Sequence, residues 1–205
     1  MIITNKQDAI DKILEQQVVA IFQQSSEYGP RALGNRSLLF DPRNKNGKDI
    51  VNKIKRREWF RPFAGTVLLE HARDWFKMGT IKESPYMSYA VPVKEEKRNL
   101  IPSITHVDGT CRVQTLTKDQ NKNFYELIEE FYRRTEVPIL FNTSFNLAGE
   151  PLVETLDDAH STIERSDIKY IYLPDLHSQS SGQWFVASFM CRSKSLSIAS
   201  SRSWY

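Results

Sequence analysis

Cysteine is nearly absent from this chain, since Cys111 and Cys191 are the only two among 205 residues. They lie in unrelated sequence contexts, which argues against a disulfide framework and against a zinc site. No apolar run approaches the length that crosses a bilayer, and the polar start of the chain does not resemble a signal peptide. We therefore expect a cytoplasmic protein without a membrane segment.

A strong net charge is also missing, because 28 basic residues nearly balance 25 acidic residues to give +3. That charge is too small to predict nucleic-acid binding by itself. An apolar fraction of 40% and a charged fraction of 26% are ordinary for a globular protein. A chain of this length fits one domain or one domain with a tail. We place the domain at residues 1–176 and a serine-rich tail at residues 177–205.

Helical and strand-like segments are mixed without a strict βαβ rhythm, which predicts an α/β or α+β domain on a mixed, twisted sheet with flanking helices. The clearest predicted helix covers residues 121–135, where apolar residues recur at helical spacing. Further helices are predicted at residues 6–16 with Thr4 as the cap, from about residue 48, at 70–76 and at 156–165. Strands are predicted at residues 18–22, 37–40, 66–69, 86–93, 104–108, 112–116, 138–141 and 170–173, and an edge strand at 184–190.

The arginine loop, which we define as residues 29–37 (GPRALGNRS), follows a short apolar strand. Its glycines allow a tight backbone to approach a ligand closely. Arg31 and Arg36 offer planar sets of donors that suit phosphate or carboxylate groups. The loop therefore predicts an anion-binding site.

Two further segments carry polar residues in pairs. If the chain is extended from Lys55 onward, Lys55 and Arg57 point to one face, and Ser144 and Asn146 share a face for the same reason. A cationic pair and a hydroxyl/amide pair together suit a triphosphate. The alternative is structural, because Ser144 and Asn146 also suit a turn, and the cations also suit the surface or ion pairs with Asp49 and Glu58.

A third segment places His106, Arg112 and Gln114 around a predicted hairpin turn at residues 108–109. A lone histidine is more often a structural hydrogen-bonding group than a base or a ligand. No group of histidines and cysteines has the spacing of metal ligands, so no protein metal site is predicted.

Taken in order, these segments resemble the C-terminal domain of the O-carbamoyltransferase family, which carbamoylates nodulation factors and antibiotics. The matching pieces include EYGPRALGNRS at 27–37, KRRE at 55–58, HVDGT at 106–110, RVQ at 112–114 and FNTSFN at 141–146, and they extend over about residues 18–173. So many motifs in the family's order make a chance match improbable.

The resemblance implies a YrdC-like fold that binds ATP and carbamoyl phosphate and forms a carbamoyl-adenylate for transfer to a hydroxyl acceptor. Lys55 and Arg57 would hold phosphates, and Ser144 and Asn146 would contact phosphate and the carbamoyl group. Mg²⁺ is implied with ATP, held mainly by phosphates and water. Further substrate-binding residues that we expect are Arg31, Arg36, Arg112, Asn142, Thr143 and His106.

The family's enzymes also carry a large Kae1-like N-terminal domain, so we expect a separate domain of that kind as a partner. Self-association into a homo-oligomer is a further expectation for a domain without it. Two alternatives differ from an enzyme. One is a module that binds RNA through residues 53–61, where basic and aromatic residues alternate; the other is a catalytically silent subunit.

Overall fold

The computed structural model describes residues 2–3 and 5–177, so the predicted edge strand at 184–190 and nearly all of the serine-rich tail lie outside the described residues. The strands are β1 (Ile2–Ile3), β2 (Val19–Phe22), β3 (Arg36–Phe40), β4 (Ala64–Leu68), β5 (Tyr89–Pro92), β6 (Thr110–Leu116), β7 (Ile139–Ser144) and β8 (Tyr170–Tyr172). The helices are α1 (Lys6–Leu14), α2 (Gly47–Ile54), α3 (Ala72–Trp75), α4 (Lys122–Thr135) and α5 (Leu156–Glu164). Short 3₁₀ helices cover Leu69–His71, Glu95–Leu100 and Pro174–His177.

The eight strands form one mixed sheet, as the sequence predicts, and their order in it is β1-β8-β2-β3-β7-β4-β6-β5. Strand β8 pairs in parallel with β1 and β2, and β4 pairs in parallel with β6, whereas the remaining neighbours are antiparallel. Strand β7 lies near the centre, between β3 and β4. Residues at its carboxyl end therefore lie where segments from both halves of the sheet converge.

Helix α4 has the clearest sequence signals and the predicted position. The side chain of Asn121 accepts a hydrogen bond from the backbone N–H of Phe124, which caps the first turn. Phe124, Leu127 and Phe131 have no exposed surface, so the predicted apolar stripe is buried. Helix α4 contacts β4 and β7, and α1 packs beside it against β2 and β8.

Several local predictions are wrong. Asn5, rather than Thr4, is the N-cap of α1, because its side chain accepts from the N–H of Asp8. Residues 104–108 form turns rather than a strand, and β6 pairs instead with β4 and β5. The chain is not extended from Lys55, which ends α2 in a helical conformation and is followed by Arg56 with a φ of 53°.

Within the part of the chain that the structure describes, no helix is long and apolar enough to cross a membrane.

Candidate functional site

Lys55 is the centre of a buried polar cluster at the end of α2. Only 2% of its surface is exposed. Its ammonium group donates to the backbone oxygens of Ser144 and Asn146, and lies 2.8 Å from Oδ1 of Asn146. The cationic residue and the hydroxyl/amide pair predicted from the sequence are thus brought together, although not through an extended backbone.

Burial disfavours the charged form of Lys55, and the positive charge of Arg57 acts in the same direction. Together they lower the pKa of Lys55 to about 7. The amine is therefore mostly protonated only below neutral pH. A phosphate placed beside it stabilises the charged form, so anion binding and protonation of Lys55 favour each other.

Ser144 and Asn146 share one hydrogen-bond network with this lysine. The hydroxyl of Ser144 donates to Oδ1 of Asn146 at 2.7 Å, and Nδ2 of Asn146 donates to the backbone oxygen of Glu150 at 2.7 Å. These bonds fix both side chains in the wall of a cavity of about 490 Å³. The polar and charged residues that line this cavity are Lys55, Arg56, Arg57, Glu58, Arg61, Ser144 and Asn146.

A second cavity, of about 90 Å³, adjoins the first, because Arg57 and Ser144 border both. In the sheet, Ala64 pairs with Arg112 on one side and with Asn142 on the other, which brings β6 and β7 to the same cavity. Arg31 reaches it from the arginine loop. The polar residues that line this small cavity are Arg31, Arg57, Arg112, Asn142, Thr143 and Ser144.

Three arginines give the small cavity a positive charge, and the carboxylate of Glu58 acts on one of them, Arg57. Among the described residues, the ion pairs include none from Arg31, Arg57 or Arg112. Burial and then the charge of Arg31 lower the pKa of Arg112. Burial and then Arg61 lower that of Arg57 to about 10. Like charges held this close favour an anionic ligand.

The arginine loop is held in shape by one carboxylate. Oε1 of Glu27 accepts hydrogen bonds from the backbone N–H groups of Leu33, Asn35 and Arg36, at 2.7, 2.7 and 3.2 Å. Charge-assisted bonds of this kind are stronger than neutral ones. Glu27 therefore fixes the loop that places Arg31 at the small cavity.

This constellation occurs in a sequence that matches the family described as Carbamoyltransferase C-terminus over residues 10–179. The chain belongs to this family. It is 48% identical over 162 residues to nodulation protein NolNO of Sinorhizobium fredii, and 44% identical over 163 residues to nodulation protein NolO of Bradyrhizobium diazoefficiens. Each match covers 78% of this chain but only 24% and 30% of the relative, so the carbamoyltransferase C-terminal domain spans less than a third of these proteins.

Two groups of solved structures share the fold of the carbamoyltransferase C-terminal domain. Full-length HypF in a phosphate- and nucleotide-bound form has a TM-score of 0.61 at 18% identity, covering 83% of this chain and 25% of that one. Sua5 of P. abyssi complexed with L-threonine has a TM-score of 0.59 at 17% identity, covering 84% of this chain and 49% of that one. These likenesses confirm the YrdC-like fold.

Arg36 is not brought to either cavity of the carbamoyltransferase domain. It is 3% exposed and donates to the backbone oxygens of Gln23, Gln24 and Glu154. Its guanidinium also lies 3.5 Å from the centre of the Phe22 ring. These contacts join the arginine loop to neighbouring segments, so the structure places Arg36 as a scaffold residue.

His106 lines neither of these two cavities but a third one of about 370 Å³, which adjoins the small cavity through Pro62 and Phe63. One ring nitrogen is 2.9 Å from the backbone oxygen of Phe63, and the other is 3.1 Å from the hydroxyl of Thr110. With both nitrogens engaged, His106 holds the segment before β4 rather than facing the arginines.

Sequence reasoning missed Thr66, and it assigned Gln114 to a predicted hairpin rather than to a position beside Asn142. Thr66 and Gln114 are buried in β4 and β6, and their side chains contact each other and Asn142. The only available signal was a polar residue at an inward position of each predicted strand. Glu27 was also missed as a functional residue, because no spacing rule indicates a carboxylate that accepts three backbone N–H groups.

Proposed function

We propose that this domain binds ATP and carbamoyl phosphate and forms a carbamoyl-adenylate, which is passed to a hydroxyl acceptor. The observation that supports this best is the pair of adjoining basic cavities that share Arg57 and Ser144. Two adjacent anion sites of unequal size suit two phosphorylated substrates that must meet. An enzyme of this kind is a transferase.

The larger cavity suits the triphosphate of ATP. Lys55 and Arg57 stand at its border and offer charge to the phosphates. When an oxygen of carbamate attacks the α-phosphorus and pyrophosphate leaves, negative charge increases on the phosphate oxygens, and fixed cations there lower the barrier. Ser144 supplies a hydroxyl between the two cavities.

The smaller cavity suits the carbamoyl donor, whose anionic groups Arg31 and Arg112 would bind. The chemistry balances if carbamoyl phosphate is first hydrolysed to carbamate and phosphate. The carbamate then displaces pyrophosphate from ATP. One water is consumed, and one phosphate and one pyrophosphate are released for each carbamoyl-adenylate formed.

Mg²⁺ would accompany ATP. The described residues contain no group of three or more His, Cys, Asp or Glu side chains that could hold a metal ion. The ion would therefore be held by phosphate oxygens and water, with the basic cavity acting on the phosphates from the other side.

Transfer to the acceptor would require a further domain. The chain spans only 24% of NolNO, so its relatives have room for a Kae1-like domain that binds the acceptor hydroxyl. The adenylation step is the part of the reaction that we assign to the residues described.

A second candidate function is the binding of single-stranded nucleic acid. Trp59 and Phe60 are 72% and 61% exposed, and the ammonium of Lys48 lies 5.7 Å from the Trp59 ring. Exposed aromatic residues among cations suit stacked bases. This binding would weaken steeply with salt, whereas the buried cluster around Lys55 suits a small ligand better.

Release of pyrophosphate tests the proposed function. The full chain, given Mg²⁺ and ATP, is expected to release pyrophosphate only when carbamoyl phosphate is present. Ser144→Ala is expected to abolish the release, whereas Ser161→Ala, which changes a serine of α5 outside both cavities, should leave it unchanged. If the chain binds ATP yet releases no pyrophosphate at any concentration of carbamoyl phosphate or after any incubation time, the adenylation step is not its function.

A further inference from the structure

The side-chain oxygen of Asn142 is a buried acceptor without a donor. Asn142 is 1% exposed, and its Oδ1 has no hydrogen-bond partner among the residues that the structure describes. Leaving such a group unpaired is unfavourable, and a buried polar atom of this kind commonly has a water or a ligand as its partner. Because Asn142 also borders a cavity, the oxygen indicates a place where a ligand supplies the missing donor.

The orientation of the amide follows from two backbone carbonyls of the arginine loop. The backbone oxygen of Leu33 accepts from Nε2 of Gln114 at 2.9 Å, which leaves Oε1 of Gln114 as an acceptor. Nδ2 of Asn142 donates to that Oε1 at 3.1 Å and to the backbone oxygen of Ala32 at 3.2 Å. Turning the amide over would place Oδ1 against two acceptors, so the oxygen is held on the opposite side.

Thr66 is the third residue of this network, and its hydroxyl proton is used within it. Its hydroxyl donates to Oε1 of Gln114 at 2.7 Å, and its oxygen lies 2.9 Å from Nδ2 of Asn142, whose two N–H groups are shared among three acceptors. The single hydroxyl proton is thus committed to Gln114. Nothing in the network can turn to satisfy Oδ1 of Asn142.

Asn142 also borders the small cavity, whose charged walls consist of Arg31, Arg57 and Arg112. Guanidinium groups only donate, and the hydroxyls of Thr143 and Ser144 can both donate and accept. Oδ1 of Asn142 is an acceptor only. A ligand that fits this cavity therefore combines anionic oxygens with an N–H donor, and a cavity of about 90 Å³ restricts the donor to a small group.

We propose that Asn142, held by Gln114, Thr66 and the carbonyl of Ala32, is the residue that selects the amino group of the carbamoyl donor. The inference rests on the proposed function, since it names the part of the substrate that this cavity distinguishes. An acetyl group of the same shape lacks the N–H and leaves Oδ1 unpaired. Asn142 thereby discriminates a carbamoyl from an acetyl donor.

Two stable phosphonates test this selection. Phosphonoacetamide carries the amino group, and acetonylphosphonate replaces it with a methyl group. Calorimetric titration of the full chain is expected to show about tenfold or greater preference for the amide, the effect of leaving one buried acceptor unpaired. Asn142→Leu and Asn142→Ser are expected to remove this preference.

Ser161→Ala is the control, because it removes a hydroxyl from an exposed position of α5 that lies outside both cavities and outside the network of Asn142. It is expected to retain the preference for the amide. Equal binding of the two phosphonates by the unchanged protein would overturn the inference, and this comparison needs no variant to fold. Retention of the preference in a folded Asn142 variant would overturn it as well. In both cases the proposed function would stand, whereas it would fail if the chain bound neither ATP nor either phosphonate.

Discussion

Replacing Lys55 with methionine is expected to weaken ATP binding by about 10-fold to 150-fold, the loss of one charged hydrogen bond of about 1.5 to 3 kcal/mol that the ammonium makes to a phosphate in exchange for one of its protein acceptors. The ammonium lies at the border of the larger cavity, held by oxygens of Ser144 and Asn146. Because its pKa is about 7, calorimetry at pH 6.5 compares the variant with a mostly protonated lysine. The same measurement at pH 9 should show a smaller difference, because the unchanged protein has then lost much of that charge.

Lys53→Met is the control for this prediction. Lys53 lies in the last turn of the same helix and is exposed, so its removal changes the net charge equally without touching the cavity. Circular dichroism should confirm that both variants are folded, and Ser144→Ala provides a second change in the same cavity. Unchanged ATP affinity in both Lys55→Met and Ser144→Ala would show that the site is assigned to the wrong residues.

Replacing Gly34 with alanine is expected to lower the free energy of unfolding by about 3 kcal/mol or more, through backbone strain and overpacking together. Gly34 has a φ of +117°, which L residues rarely adopt, and an added Cβ would lie 2.3 Å from Cδ1 of Phe124. Phe124 has no exposed surface in α4 and cannot move away freely. Urea unfolding followed by circular dichroism measures the change.

Gly29→Ala separates the two causes, because Gly29 has a similar φ of +123° but no atom within 4 Å of an added Cβ. It should cost only the strain, about 1 to 3 kcal/mol. Phe124→Leu, introduced together with Gly34→Ala, should recover part of the lost stability relative to the sum of the single changes. Equal effects of Gly29→Ala and Gly34→Ala would contradict the close packing of the arginine loop on α4.

The elements that could be predicted are those whose pattern is local. Helix α4 has a continuous apolar stripe, which predicts the helix from its sequence alone. The hairpin predicted at residues 104–116 is wrong because β6 pairs with β4 and β5, and neither of these strands is joined to β6 by a short turn. No local pattern records which strands become neighbours.

The candidate functional site could likewise be predicted only in part. The residue types in the sequence predict one candidate site that contains Lys55, Arg57, Ser144 and Asn146. In the structure, the ammonium of Lys55 donates hydrogen bonds to Ser144 and Asn146. The extended backbone predicted from Lys55 onward is wrong, since a turn at Arg56 separates Lys55 from Arg57. Arg36 resembled Arg31 in sequence, but burial against backbone carbonyls gives it a different role.

The hydrogen-bond network around Asn142 could not be predicted from the sequence, for a geometric reason. It joins the arginine loop, β4, β6 and β7, and its meaning depends on which amide atom faces which carbonyl. Only a structure that places all four segments together reveals that one oxygen is left without a donor.

The most direct test of the account is a crystal structure of the full chain soaked with Mg²⁺ and a non-hydrolysable ATP analogue. We expect the triphosphate in the larger cavity, within hydrogen-bond distance of Lys55 and Arg57, with its α-phosphate directed toward the small cavity that Asn142 borders. A nucleotide bound instead in the cavity beside His106, with no phosphate near Lys55, would contradict it.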